Sequence, residues 1–465
     1  MSSRVRIVCA SIALALLAIL PAVAARAVVP DPTVSGPIPE NAPPGDPSHD
    51  YIFFTSPLVE QYGYVEEEFF IEGTANVYNN PPLATGSVVS SGHPYKTRIV
   101  VRRPKKRLRF NGTVVLEWQN VTAGYDIDAS WVGGNAEHLM RSGYVWVGVS
   151  AQRVGVHQTG TGLRNWSPVR YGTLDVTAGG TILNDALSYD IFSQAGQAVM
   201  SPVGVDPLAG LKPKRILASG ASQSAGRLTI YHNSIHPLAD LFDGFFLLVG
   251  GSAVRTDLGV PVFKLLSETE ISAVAAGIAS LQPDSDIHRT WQVAGAAHAD
   301  RTFLDNVRDN AMRDGIPTTP PGLCTRPEGS QLRFFQVTNA AHDLLVRWVK
   351  LGLQPPTAPA IEIAPGPPAA IARDELGLAL GGIRLADIEA PVALNTGSNG
   401  GPAFCILFGT HVPFDEATLD ALYPSHGQYV AQVTAATLHN LLAGYIPLYD
   451  ALVTVLDAAA SMVGL

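Results

Sequence analysis

The spacing of apolar residues along the chain alternates between two periods. Short apolar, β-branched runs recur at Gly112 to Trp118 (GTVVLEW), Tyr144 to Ser150 (YVWVGVS), Arg215 to Gly220, Phe242 to Val249, Val260 to Leu266 and Thr290 to Ala294. Runs of this kind suit strands covered on both faces. Among them lie stretches with helical spacing, at Ala136 to Arg141, Tyr189 to Met200 and Ser224 to Ile235. Strand alternating with helix predicts an α/β fold, a mostly parallel sheet with helices on both faces. Upstream, Glu66 to Gly73 and Tyr95 to Val101 predict further strands. Downstream, Pro- and Gly-rich segments at Ile316 to Pro327 and Leu353 to Pro368 flank a predicted helix at Ala341 to Lys350. Two more helices are predicted at Ala431 to Leu442 and Ala451 to Met462. No internal repeat interrupts this order. The expectation is one domain over residues 51–465, with residues 352–465 wrapping its core.

The beginning of the chain departs from that pattern. Arg4 and Arg6 precede an apolar run from Ile7 to Leu20, followed by Pro21 and small residues to Ala27. This reads as a secretory signal over residues 1–27, too short to span a bilayer with margin. Residues 28–50 are Pro-rich and polar and predict an extended arm. The expected location is therefore outside the cell or in the envelope or periplasm. Export changes the reading of the three cysteines. Cys9 falls in the signal, and Cys324 with Cys405 is expected to form a disulfide, as an oxidising compartment favours. No later stretch is long and apolar enough to cross a membrane.

Composition narrows the function classes. Apolar residues make up 46% of the 465 and charged residues only 15%, enough to bury a large core. A formal charge of −9 argues against a nucleic-acid partner, which needs a basic patch. The one basic run, Arg102 to Arg107, lies between predicted strands and is expected to be a solvated hairpin tip. No Cys or His pair has zinc-ligand spacing, so no metal is expected.

The candidate chemistry sits where a strand meets a cluster of small residues, in RILASGASQSAGRL at residues 215–228. A serine hydroxyl becomes a useful nucleophile when a sharp strand-to-helix turn projects it above the sheet edge. That turn needs small residues two positions to either side. Ser222 has Gly220 and Ser224 there, and the following helix aims its N-terminal N–H groups at developing negative charge. The Gln223 N–H is one expected oxyanion donor, and the backbone of Asn120 or Val121, after the strand GTVVLEW, is the other. An acid and a base should follow in the order Ser, acid, His. The strand Val260 to Leu266 leads into Ser267-Glu268-Thr269-Glu270, and either Glu268 or Glu270 could orient the base. His298, after the last short strand in VAGAAHAD, is the expected base. Tyr125, Trp131 and Tyr171 are candidates to line a substrate pocket.

These stretches carry a resemblance. EEEFFIEGTANVY, GYVWVGVSAQ, SYDIFSQA, GASQSAGRLTIYHN, FDGFF, VPVFKLLSETE, VAGAAHAD, RWVKLGLQPP, DELGLALGGIR and PFDEATLDALYPSHGQYV occur in this order from about Tyr51 to the C-terminus. In them the chain resembles the bacterial family of alpha/beta hydrolase domain-containing proteins. The resemblance implies an α/β-hydrolase fold, Ser222 as nucleophile, an acid in the SETE segment and His298 as base. Few residues separate Val249 from Val260, so no large lid is expected there; a cap would come from Asp300 to Ser330 or from the C-terminal region. The expectation is a serine hydrolase that cleaves a small-molecule carboxylic ester through an acyl-enzyme, with no cofactor. The alternatives are an amidase, peptidase or sugar-ester esterase on the same fold, or a binding protein without turnover.

Overall fold

A computed structural model describes residues 29–40, 46, 51–275, 281–318 and 320–465. The expected signal, residues 1–27, lies outside the described residues, as do residues 28, 41–45 and 47–50 of the Pro-rich stretch before Tyr51. Among the described residues ten strands form one sheet: β1 (Thr33–Ser35), β2 (Tyr64–Asn79), β3 (Ser87–Pro104), β4 (Thr113–Trp118), β5 (Val145–Val149), β6 (Val203–Gly204), β7 (Arg215–Ala221), β8 (Gly244–Leu248), β9 (Val262–Ser267) and β10 (His288–Val293). Their order across the sheet is β10-β9-β8-β7-β4-β5-β3-β2-β1-β6.

From β5 to β10 every pairing is parallel. These are the β-branched and aromatic runs, and all residues of β4, β5, β8 and β9 are buried. Burial on both faces explains why they read as continuous apolar segments. The long hairpin of β2 and β3 extends the sheet with antiparallel pairing. Its strands outrun the expectation, because residues 87–94 of β3 are mostly exposed and carry no apolar alternation.

The basic run behaves differently from a solvated tip. Arg102 is fully buried at the end of β3, ion-paired to Glu66 and to Asp128 at 2.6 Å, and Arg103 pairs with Glu67. The pattern of charge along the chain concealed these partners, since Asp128 comes from a loop beyond β4.

Helices flank the sheet. Ser188–Met200, Gln223–Ile230 and Phe334–Leu351 follow the predicted positions, the last beginning several residues earlier than its apolar spacing suggests. The later part of the chain contacts the edge of the sheet: Ile383 bridges to Val293, and the ring of Tyr445 lies 5.1 Å from that of Trp291. The C-terminal helices His426–Ala443 and Leu448–Ala460 pack on each other. A short pair of strands, Ala393–Thr396 with Thr410–Pro413, brackets an excursion that carries the helix Cys405–Phe408. The Cys324–Cys405 disulfide ties this excursion to the segment after the helix Arg301–Arg313. No helix of the described residues is long and apolar enough to cross a membrane.

Candidate active site

The C-terminal ends of β4, β7, β9 and β10 converge on one rim. At the end of β7 the chain turns into Gln223–Ile230 through Ser222, whose φ of 59° and ψ of −120° lie outside the ordinary regions for a residue with a side chain. Small neighbours make the turn possible. A Cβ on Gly220 would meet the Ser224 backbone at 3.1 Å, and one on Gly250 would meet the Ser222 carbonyl oxygen at 2.8 Å. The Ser222 N–H donates to the Leu248 carbonyl at 2.9 Å, fixing the turn to β8.

His298 lies on the loop after β10. Its Nε2 is 2.8 Å from Ser222 Oγ and its Nδ1 is 2.6 Å from Glu270 Oε1. A carboxylate oxygen only accepts, so Nδ1 carries the proton and Nε2 accepts from the serine hydroxyl. The loop is held from beneath: the His298 N–H donates to Thr269 Oγ1 at 3.0 Å, and Thr269 Oγ1 donates to the Gly397 carbonyl at 2.7 Å.

The two glutamates of the SETE segment separate cleanly. At the start of the helix Glu268–Ala275 the Glu270 carboxylate reaches back to Ser267 as in a capping box, while Ser267 Oγ accepts from the Thr269 N–H at 3.2 Å. Glu270 Oε2 accepts from the Ser267 N–H at 2.8 Å and from its hydroxyl at 2.7 Å, which turns Oε1 toward His298. Glu268 points elsewhere. It accepts from the Gly295 N–H at 2.8 Å and pairs with Arg373, bracing the loop that carries His298. Of the two candidate acids, the structure brings Glu270 and not Glu268 to the imidazole. The S-x-x-E spacing was a usable signal for this, because a capping-box glutamate must fold back over its own strand end.

The oxyanion candidates divide as well. Gln223 is the first residue of its helix, where an N–H has no partner within the helix. The Asn120 N–H is corrected as a donor, since it is bound to the Ile127 carbonyl at 3.0 Å. Its side-chain amide instead donates to the Ala221 carbonyl at 3.0 Å, drawing the loop after β4 against the turn. Val121, next in that loop, has no acceptor for its N–H among the described residues.

Ser222 and His298 open onto a cavity of about 820 Å³, counting the space open to solvent, with a mostly apolar lining. Its walls include Ile127, Leu248, Phe303, Phe334, Leu407 and Phe408. Two of the three aromatic candidates for this lining are corrected. Tyr171 is fully buried, its hydroxyl donating to Glu68 Oε1 at 2.7 Å within an ion-pair layer that includes Arg98. Trp131 is packed beneath the Arg102 guanidinium and against Trp146. Tyr125 stacks on Phe54 and lines an adjoining space rather than the cavity at Ser222. The actual aromatic walls come from after His298 and from the disulfide-tied excursion, which no local periodicity relates to residue 222.

Asp300 also faces the cavity. It is buried and caps the helix Arg301–Arg313 by accepting from the Phe303 N–H at 2.9 Å. Desolvation pushes its carboxyl up to about 7 against these stabilising N–H groups.

Residues 34–455 match the family described as alpha/beta hydrolase domain. No curated protein matches the chain. Among solved structures, the esterase Est22 aligns at 12% identity with a TM-score of 0.31, over 55% of this chain and 78% of that one. An α/β serine hydrolase without lid from Xanthomonas campestris aligns at 13% identity and a TM-score of 0.27, over 53% and 97%. Oligopeptidase B from Trypanosoma brucei, with covalently bound antipain, aligns at 10% identity and a TM-score of 0.27, over 54% and 44%.

Proposed function

The chain belongs to the alpha/beta hydrolase domain family, and on that footing we propose that it is an exported serine hydrolase of carboxylic esters. The observation that carries this reading is the unbroken chain from Ser222 Oγ through His298 to Glu270, at 2.8 and 2.6 Å. In the proposed reaction the ester carbonyl rests over Ser222. His298 Nε2 takes the hydroxyl proton as Oγ attacks, and Glu270 stabilises the imidazolium through Nδ1–H. The tetrahedral oxyanion is received by the N–H groups of Gln223 and Val121. His298 then protonates the leaving alcohol, an acyl-serine forms, and water activated by the same nitrogen releases the acid.

An ester suits this site better than a peptide or a sugar ester. The cavity offers broad apolar walls and few polar groups to satisfy amides or hydroxyls. Export is supported by the Cys324–Cys405 bond and by the amino-terminal pattern of charge and apolar residues; the intact mass of the mature chain tests it.

The deciding experiment is labelling with a fluorophosphonate followed by mass spectrometry, alongside hydrolysis of 4-nitrophenyl acetate. The expected results are modification at Ser222 and loss of at least a thousandfold in kcat/KM for Ser222→Ala. Full activity in Ser222→Ala, or labelling confined to another residue, overturns the proposal.

A further inference from the structure

The cavity over Ser222 adjoins a second one. Ala123, Ile127, Phe303, Phe404 and Phe408 line both. The second measures about 720 Å³, counting the space open to solvent, and Tyr125, Leu304 and Val307 form further walls. Its two charged side chains, Arg308 and Glu328, lie 3.7 Å apart and offset each other. Phe404, one of the large apolar side chains left exposed, stands where the two spaces meet.

This joint lining constrains the substrate. A charged or hydroxyl-rich group against this mostly apolar lining finds few partners beyond Arg308 and Glu328, whereas an apolar chain gains from every group it buries. Acetyl transfer to water needs only the space at Ser222. We propose that the substrate is an ester with an extended apolar arm, which leaves the carbonyl at Ser222, passes Ala123, Phe303 and Phe404, and ends in the second cavity against Leu304 and Val307. The inference rests on Ser222 being the nucleophile, and it adds the class of ester.

Two probe series distinguish where the arm is attached. One is 4-nitrophenyl esters from acetate to octanoate, and the other is alkyl acetates from ethyl to octyl, followed by acid release. Each buried methylene is worth about fourfold in binding, so a tenfold rise in kcat/KM needs only about two of the six added groups to be seated. The expected result is a rise of at least tenfold across one series, which assigns the arm to the acyl or the alcohol side. Val307→Trp and Leu304→Trp, made separately, fill the second cavity. Each is expected to cut the ratio of long-chain to short-chain kcat/KM at least fivefold, and this ratio cancels any general loss from imperfect folding. Flat profiles in both series, with acetate still hydrolysed, overturn the inference and leave the serine mechanism standing. A long-to-short ratio unchanged in both tryptophan variants overturns it equally. Absence of both ester hydrolysis and probe labelling overturns the nucleophile assignment, and the inference with it.

Discussion

Replacing Glu270 by glutamine changes one atom and should cost far more than that suggests. The carboxylate makes three contacts: Oε2 accepts from the Ser267 N–H and hydroxyl, and Oε1 accepts from His298 Nδ1–H. Glutamine has one acceptor and one donor end. The Ser267 backbone N–H can only donate, so the amide oxygen is held on that side. The NH₂ group is then directed at His298 Nδ1, which must surrender its proton and accept. The proton moves to Nε2, and the ring now presents N–H to Ser222 Oγ where it had presented a lone pair. Both side chains are about one-seventh exposed (14% for His298 and 16% for Glu270), leaving little room for water to restore the better tautomer. Correct base orientation of this kind is worth roughly 10³ to 10⁴ in kcat, or about 4–5.5 kcal/mol. Glu270→Gln is therefore expected to lower kcat/KM for 4-nitrophenyl acetate by that factor while the melting temperature stays within a few degrees. Glu268→Gln is the contrast. It weakens the brace between Gly295 and Arg373 and is expected to lower thermal stability with a smaller loss of kcat. Activity of Glu270→Gln within tenfold of the parent would refute the argument, as would an equal kinetic loss in Glu268→Gln at unchanged stability.

The remaining predictions concern stability and processing. Asp300 holds its proton up to about 7 when folded, against 3.8 for the ordinary side chain. A raised folded value means that stability is lost as pH rises through the interval from about 4 to 7, because the unfolded chain ionises first. Asparagine keeps the acceptor that caps the helix and has no proton to lose. Asp300→Asn should gain about 3 kcal/mol more over the parent at pH 8 than at pH 5 in denaturant titrations; a difference independent of pH would contradict the assignment. Protein collected from the medium should have an intact mass lacking residues 1–27, with Cys324 and Cys405 oxidised. A chain beginning at Met1, or free thiols in the collected protein, would contradict export or the bridge.

What the sequence disclosed and what it withheld divide along a physical line. The parallel strands were legible because burial on both faces leaves apolar runs such as Val145–Val149 with nothing polar to interrupt them. The turn at Ser222 was legible because its sterics demand small residues at fixed offsets. The choice between Glu268 and Glu270 depended on a local motif, the capping box, whose consequence for the imidazole appears only when β9 and β10 lie side by side. Arg102, Tyr171 and Trp131 were misplaced for a common reason. Each is polar or aromatic in a way that suits a surface or a pocket, and each is buried by partners distant in sequence, such as Asp128, Glu68 and Trp146. The cavity walls were hidden most completely, since Phe404 and Phe408 reach the site through a bridge closing 81 residues of chain.

The backbone at residue 222 sets the stability of the fold against the chemistry proposed for it. A left-handed conformation at a residue with a Cβ costs on the order of 1–3 kcal/mol, and glycine at that position would be free of the penalty. Serine at that position therefore costs the fold stability that glycine would restore: Ser222→Gly should resist heat and denaturant better than the parent while losing the hydroxyl on which the proposed chemistry depends.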